Sequence, residues 1–272
     1  MYLKVVACEI FVREVCHVVA SSPHICDVEF LNQGYHDQVD TGRAHLQQII
    51  DATALRRDEA GALGYSGRSH IQQVPDWPSP RQYDAVLLGY GLCNNLIAGL
   101  EARDVPLVVP RAHDCITVLM GSKQEYERQF RTTPGTYYYS SGWIECRKRG
   151  GAVDVNQTGA AYTQQYEQFV AQYGEDNAKY LMEALGSWTE HYERGALIRY
   201  DFDRVLELEG YVRDICDSRG WRYEELVGDL GLLRRWVGGD WADSEFLTVQ
   251  PHQTLLAAWD GSVIRGAAPA AE

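Results

Sequence analysis

The order of apolar and polar positions splits the chain into a regular strand–helix alternation and a helix-rich remainder. "YLKVVACE" at 2–9 is a β-branched apolar run, and "IFVREVCHVVASS" behind it repeats apolar residues at helical spacing: Ile10, Val12, Val15, Val18 and Val19. A strand at 26–32 ("CDVEFLN") and a helix at 42–55 ("GRAHLQQIIDATAL") repeat that pair. The stretch "LGYSGRSHIQQVPDWPSPRQ" is punctuated by Gly, Ser and Pro and reads as loop. "YDAVLLGYG" at 83–91 is a continuous apolar strand of the kind buried on both faces of a parallel sheet, and "NLIAGLEAR" after it reads as a short helix. A strand at 105–115 and a helix at 116–130 complete the series.

Beyond residue 150 the pattern changes. Residues 160–192 form a long helical stretch broken at Gly174, followed by a strand at 196–201 and a helix at 204–220. A further helix is expected around "YEELVGDLGLLRRWVGG", then two short strands, "EFLTVQ" and "TLLAAWDG". The fold class that follows is α/β, an open and mostly parallel sheet with helices on both faces, plus a helix-rich C-terminal lobe. The expected domains are 1–150 for the α/β part and 151–264 for the second lobe. The tail 265–272, "RGAAPAAE", has nothing to bury and is expected to be disordered.

Charge and composition narrow the function classes. A net charge of −13 argues against a nucleic-acid partner, which needs a basic face to release counterions. No apolar run reaches the roughly 18–20 residues that span a bilayer, and the N-terminus lacks the features of a signal peptide, so a cytoplasmic protein with no membrane partner is expected. Seven cysteines in such a compartment read as free, metal-bound or reactive thiols rather than as a disulfide framework.

The chemistry is expected where open α/β sheets collect it, outside the carboxyl ends of the strands. Three strands finish on a cysteine: Cys8, Cys93 and Cys115. If the strands are parallel neighbours, the three thiols face one crevice, with Glu9, Asn94, Asn95, Arg111, His113 and Asp114 around them. Cys16, Cys26 and Cys216 read as core or half-buried residues, and Cys146 is open to either reading. Three thiolates, with an open position or with His113 as the fourth ligand, suit tetrahedral zinc. An iron–sulfur cluster is the alternative cofactor, although its usual C-x₂-C spacing is absent. Glu9, Arg111 and Asp114 are the candidate catalytic side chains at this site.

Two other stretches bear on the ligand. "GYGLCNN" lacks the third glycine of a dinucleotide fingerprint, so Gly91 reads as a close backbone approach to a ligand, with Asn94 and Asn95 capping a helix or orienting that ligand. "PGTYYYSSGWIE" at 134–145 reads as an aromatic hairpin or lid whose Tyr139, Ser140 and Trp143 line a small-molecule cavity. Thiols flanking a substrate carbon also describe metal-free amino-acid racemases. Those enzymes keep one cysteine per lobe, whereas these three all fall within the first 115 residues.

"VVACEIFVREV", "LLGYGLCNN", "VPRAHDCITVLMGS" and "PGTYYYSSGWIE", in that order, resemble the family catalogued as domain of unknown function 1638. The resemblance implies a pocket at Cys8, Glu9, Cys93, Asp114 and Cys115. It also implies a link to one-carbon metabolism, with a corrinoid protein or methyltransferase as partner, because such chains are often encoded near corrinoid-dependent methyltransferases. No D-x-H-x-x-G corrinoid motif occurs in this chain. The expectation is a zinc thiolate enzyme acting on a small molecule by methyl or one-carbon transfer. A metal-free cysteine racemase or lyase, or a non-enzymatic metal or cofactor chaperone, is the alternative.

Overall fold

The computed structural model describes residues 1–53, 55–57, 63–65, 83–150, 191–268 and scattered positions from 166 to 179. The chain forms two compact units, one made of Met1–Lys123 with Asp229–Glu272 and the other of Gln124–Gly228. The second unit is thus inserted between two segments of the first, and the chain returns to the first unit at 229 rather than leaving it for good at 150.

The first unit is built on strands β1 (Tyr2–Cys8), β2 (Ile25–Leu31), β5 (Ala85–Gly89), β6 (Leu107–Pro110) and β10 (Phe246–Val249). Their order across the sheet is β10-β6-β5-β1-β2. The first four chain segments pair in parallel and only β10 runs antiparallel, against β6. The central strands β5 and β6 are buried at every residue, which is why they read as unbroken apolar runs rather than as an alternation. Lys4 sits in this oily frame only because Asp27 and Glu29 of β2 pair with it, at 3.5 and 2.9 Å.

From β1 the chain steps outward through helix α1 (Val12–Val19) to β2. From β2 it passes helix α2 (Val39–Ala52) and returns beyond β1 to β5. Right-handed crossovers in opposite directions put those two helices on opposite faces. The reversal makes a topological switch point between β1 and β5, where the connections diverge and leave a crevice. Helix α7 (Gly231–Gly238) lies against α1, and its Trp236 donates from Nε1 to the carbonyl of Val108 at 3.2 Å.

The second unit carries a three-stranded parallel sheet, β7 (Thr136–Tyr139), β8 (Arg194–Arg199) and β9 (Arg222–Val227), in the order β7-β8-β9. Helices α5 (Ser141–Gly150) and α6 (Leu208–Arg219) belong to it. Its core gathers Tyr139, Ile144, Leu197, Val212, Cys216 and Trp221.

Several expectations change. The predicted hairpin at 134–145 is a parallel strand followed by a helix, because Tyr137–Tyr139 pair with Gly195–Leu197 rather than with each other's neighbours. The first half of the predicted helix around 223–239 is the edge strand β9. The helix predicted on "NLIAGLEAR" does not form: Asn94 and Asn95 adopt left-handed φ values of 50° and 60°, and Gly99 has φ 94°. The helix expected over 116–130 is two, α3 (Cys115–Leu119) and α4 (Lys123–Thr132), separated by Gly121 at φ 76°. Residues 265–267, expected in a disordered tail, belong to β12 (Ile264–Ala267), which pairs with β11 (Thr254–Ala257). β3 (Leu55–Arg57), at the end of the predicted helix 42–55, pairs antiparallel with β4 (Leu63–Tyr65), at the start of the predicted loop. Residues 66–82 of that loop and most of the helical stretch 160–192 lie outside the described residues.

Candidate functional site

Each of the three thiols follows a strand whose apolar residues anchor it. β1 ends on Cys8, Cys93 stands four residues past the end of β5, and Cys115 stands five past the end of β6. Because β1, β5 and β6 are consecutive and parallel, all three lie at one edge of the sheet, on both sides of the switch point.

The loops after β5 and β6 are stitched together. The amide of Leu92 donates to Ala112 O at 2.8 Å and that of Cys93 to His113 O at 3.1 Å. Gly91 makes the approach feasible, since a Cβ there would stand 2.6 Å from the carbonyl carbon of Asp114. Asp114 in turn caps α3, its Oδ1 accepting from the Thr117 amide at 2.9 Å and from the Thr117 hydroxyl at 3.1 Å. The result sets the Cys93 and Cys115 thiols beside each other. The neighbouring Cys115 thiol holds Cys93 below its ordinary range, against the opposing effects of burial and the Asp114 charge. Cys115, facing Cys93 and itself desolvated, is pushed well above its ordinary range. Within the pair the anion is favoured on Cys93 and the proton on Cys115.

Cys8 is 2% exposed and meets His36, whose Nε2 lies 3.5 Å from its Sγ. His36 sits in a short 3-10 turn at Gln33–His36, directly after β2, so a fourth parallel strand contributes to the same edge. Burial lowers the His36 imidazole pKa, opposed by Asp37. The Asn94 side chain reaches across to donate to His36 O at 3.3 Å. Tyr90, the residue after β5, is buried, and its ring centre lies 6.4 Å from that of His36. Burial, with the nearby Cys8 and Cys93 thiols and Glu29, drives the Tyr90 phenol above its ordinary range and keeps it protonated.

The structure thus gathers Cys8, Gly91, Cys93, Asn94, Asp114 and Cys115 at one edge; Glu9, Asn95, Arg111 and His113 stand on the same strand-end loops with other partners, and Tyr139, Ser140 and Trp143 belong to the second unit. His113 turns outward and is exposed. Glu9 accepts the Gln33 amide at 2.8 Å and ties the end of β1 to the end of β2. Asn95 is exposed, and its carbonyl accepts from Arg43 at 3.0 Å. Arg111 donates to the carbonyls of Asp243, Phe246, Ser262 and Ile264, at 2.7, 3.2, 3.0 and 2.5 Å. Tyr139, Ser140 and Trp143 belong to the second unit, where Tyr139 is core and Ser140 Oγ accepts the Trp143 amide at 3.2 Å. Cys16, expected in the core or half-buried, is exposed, whereas Cys146 and Cys216 are buried. His36 and Tyr90 were not signalled by any motif; the cue available for His36 was its place just past an apolar run, as for the cysteines. Among the described residues, no group of three or more His, Cys, Asp and Glu side chains is disposed to hold a metal ion.

A family model described as "Protein of unknown function (DUF1638)" matches residues 30–237, and the chain belongs to that family. The match includes His36, Cys93 and Cys115. None of the curated proteins and none of the solved structures matches the chain.

Proposed function

We propose that this DUF1638 chain is an enzyme that acts on a small molecule through the thiol pair Cys93–Cys115. Cys93 is the thiolate, serving as nucleophile or base, and Cys115 is the acid that faces it. The observation that carries this reading is the backbone pairing of the two loops that bear Cys93 and Cys115, beside the switch point of a parallel sheet, which sets the two thiols against each other. Tyr90 supplies a neutral donor at the wall of the site, suited to a substrate oxygen. Proton removal from, or attack on, an activated carbon by Cys93, with proton return from Cys115, places the chemistry in the racemase or lyase class.

The test is the pH dependence of alkylation at each cysteine, read by peptide mass. Cys93 is expected to react with iodoacetamide at a lower pH than an ordinary thiol, because Cys115 beside it favours its anion. Cys115→Ala removes that thiol, so the midpoint should move up towards that of an unperturbed cysteine, about 8.5. A Cys93 that alkylates like Cys16 in the wild-type chain defeats the reading.

A second reading, zinc-dependent methyl or one-carbon transfer, is favoured by Cys8 and His36, a thiol and an imidazole 3.5 Å apart at the same sheet edge. With Cys93 and Cys115 they make a four-donor set of types that zinc accepts, and His36 takes the place expected for His113. Holding the ion requires the Cys8 side to swing towards the thiol pair. Zinc there would act as a Lewis acid on a substrate thiol, and a corrinoid protein or methyltransferase would be the partner. Elemental analysis of the purified chain decides: about one zinc per chain, reduced in Cys93→Ser and in His36→Ala, is expected on this reading. Metal-free protein with a reactive Cys93 returns the site to thiol chemistry.

A further inference from the structure

Cys93 and Cys115 lie on separate loops, yet the structure brings those loops together without using either thiol to fill the core. Both are free and partly accessible. The loops that carry them are clamped at Leu92 to Ala112 and at Cys93 to His113 by backbone hydrogen bonds of 2.8 and 3.1 Å, and Gly91 lets one backbone lie on the other at Asp114. A disulfide demands that the backbones already be close, because its S–S length of about 2.05 Å and short Cβ separation leave little slack. Here the backbones already lie against each other on the loops that follow two neighbouring strands, so closing the bond calls on the two side chains. Cys8 is the competing partner, but its sulfur faces His36.

We infer that Cys93 and Cys115 form a reversible disulfide by exchange with a low-molecular-weight disulfide, and that this oxidation switches the site off. The inference rests on the reading of this pair as the working thiols. In the first step the Cys93 sulfur, as thiolate, attacks one sulfur of the small disulfide; a Cys93 mixed disulfide forms and one small thiolate leaves. Cys115 then loses its proton and attacks the Cys93 sulfur, and the second small thiolate departs. Two protein thiols have been oxidised and one small disulfide reduced to two thiols. A small dithiol reverses the sequence.

The experiment uses the full-length chain with oxidised glutathione, quenched by alkylation and digested with trypsin. Cys93 and Cys115 fall on separate tryptic peptides, 82–103 and 112–123. Wild type is expected to yield these two joined, two hydrogens lighter than the reduced pair, and to recover both thiols with dithiothreitol. Cys115→Ala should stop at a glutathione adduct on Cys93. Circular dichroism on the variant establishes that it is folded, and the wild-type cross-link tests the inference without any variant. A stable glutathione adduct at Cys93 in the wild type, a link between Cys8 and Cys115, or two thiols that both remain alkylatable overturns the switch. If Cys93 still alkylates at low pH in that case, the thiol-pair reading survives and only the switch falls; an ordinary alkylation profile removes both.

Discussion

At the scale of single residues, Gly91 decides whether the two thiols meet. Its φ is not left-handed, so the demand there is for space: a methyl group would stand 2.6–2.7 Å from Asp114 backbone atoms, which cannot rotate away as a side-chain tip could. Gly91→Ala is therefore expected to push the 91–95 loop off the 112–115 loop and to cost about 1–3 kcal/mol, the usual range for overpacking. The same shift should separate Cys93 from Cys115, so that alkylation of Cys93 moves to higher pH. Urea denaturation and the alkylation profile check the two effects together, and an unchanged profile in a destabilised variant would show that the contact does not position the thiol. The sequence allowed Cys93 and Cys115 to be picked out because each ends a run too apolar to be anything but a buried strand. It did not reveal what Gly91 does, since a glycine at a strand end suits a ligand and a neighbouring backbone equally well. Nor did it single out His36, which lies in a polar turn, "NQGYHDQ", where its place just past an apolar run is the one cue.

At the scale of elements, the legible parts are those in which local pattern and tertiary environment agree. β1, β5 and β6 are buried at nearly every position, and α1 shows its apolar spacing plainly. Misread elements are those whose partner is distant. β7 is four residues long and pairs in parallel with β8, more than fifty residues further along, so no local turn signal announces it. β9, "RYEELV", carries two glutamates and reads as helix; on the edge strand Glu224 instead pairs with the buried Arg194 of β8 at 2.8 Å, and Glu225 is exposed. The sheet order was beyond reach as well, although it gives the site its meaning. Only the reversal between β1 and β5 turns three strand-end cysteines into neighbours around a crevice.

At the scale of the whole molecule, the first unit is closed by a segment that returns after the inserted second unit. Residues 229–272 bring back α7, β10 and the hairpin of β11 and β12. Arg111, on the loop that leads to Cys115, clasps this returning segment through four carbonyls, two near β10 and two at the start of β12. A charged donor with four acceptors from separate stretches acts as a tie, and truncation leaves all four carbonyls without it. Arg111→Ala is expected to lower unfolding free energy by about 2–4 kcal/mol, given 1.5–3 kcal/mol for hydrogen bonds to charged groups and partial rehydration of the carbonyls. Hydrogen exchange should locate the loss. The amides of 254–267 should exchange faster, because the hairpin has lost an anchor while keeping its own ladder. The β7–β8–β9 amides, whose partners all lie inside the second unit, should be unaffected under native conditions. Equal protection of the hairpin in variant and wild type would mean that the tie is redundant and that the packing of Leu255, Val263 and Ile264, all buried, holds the segment without it.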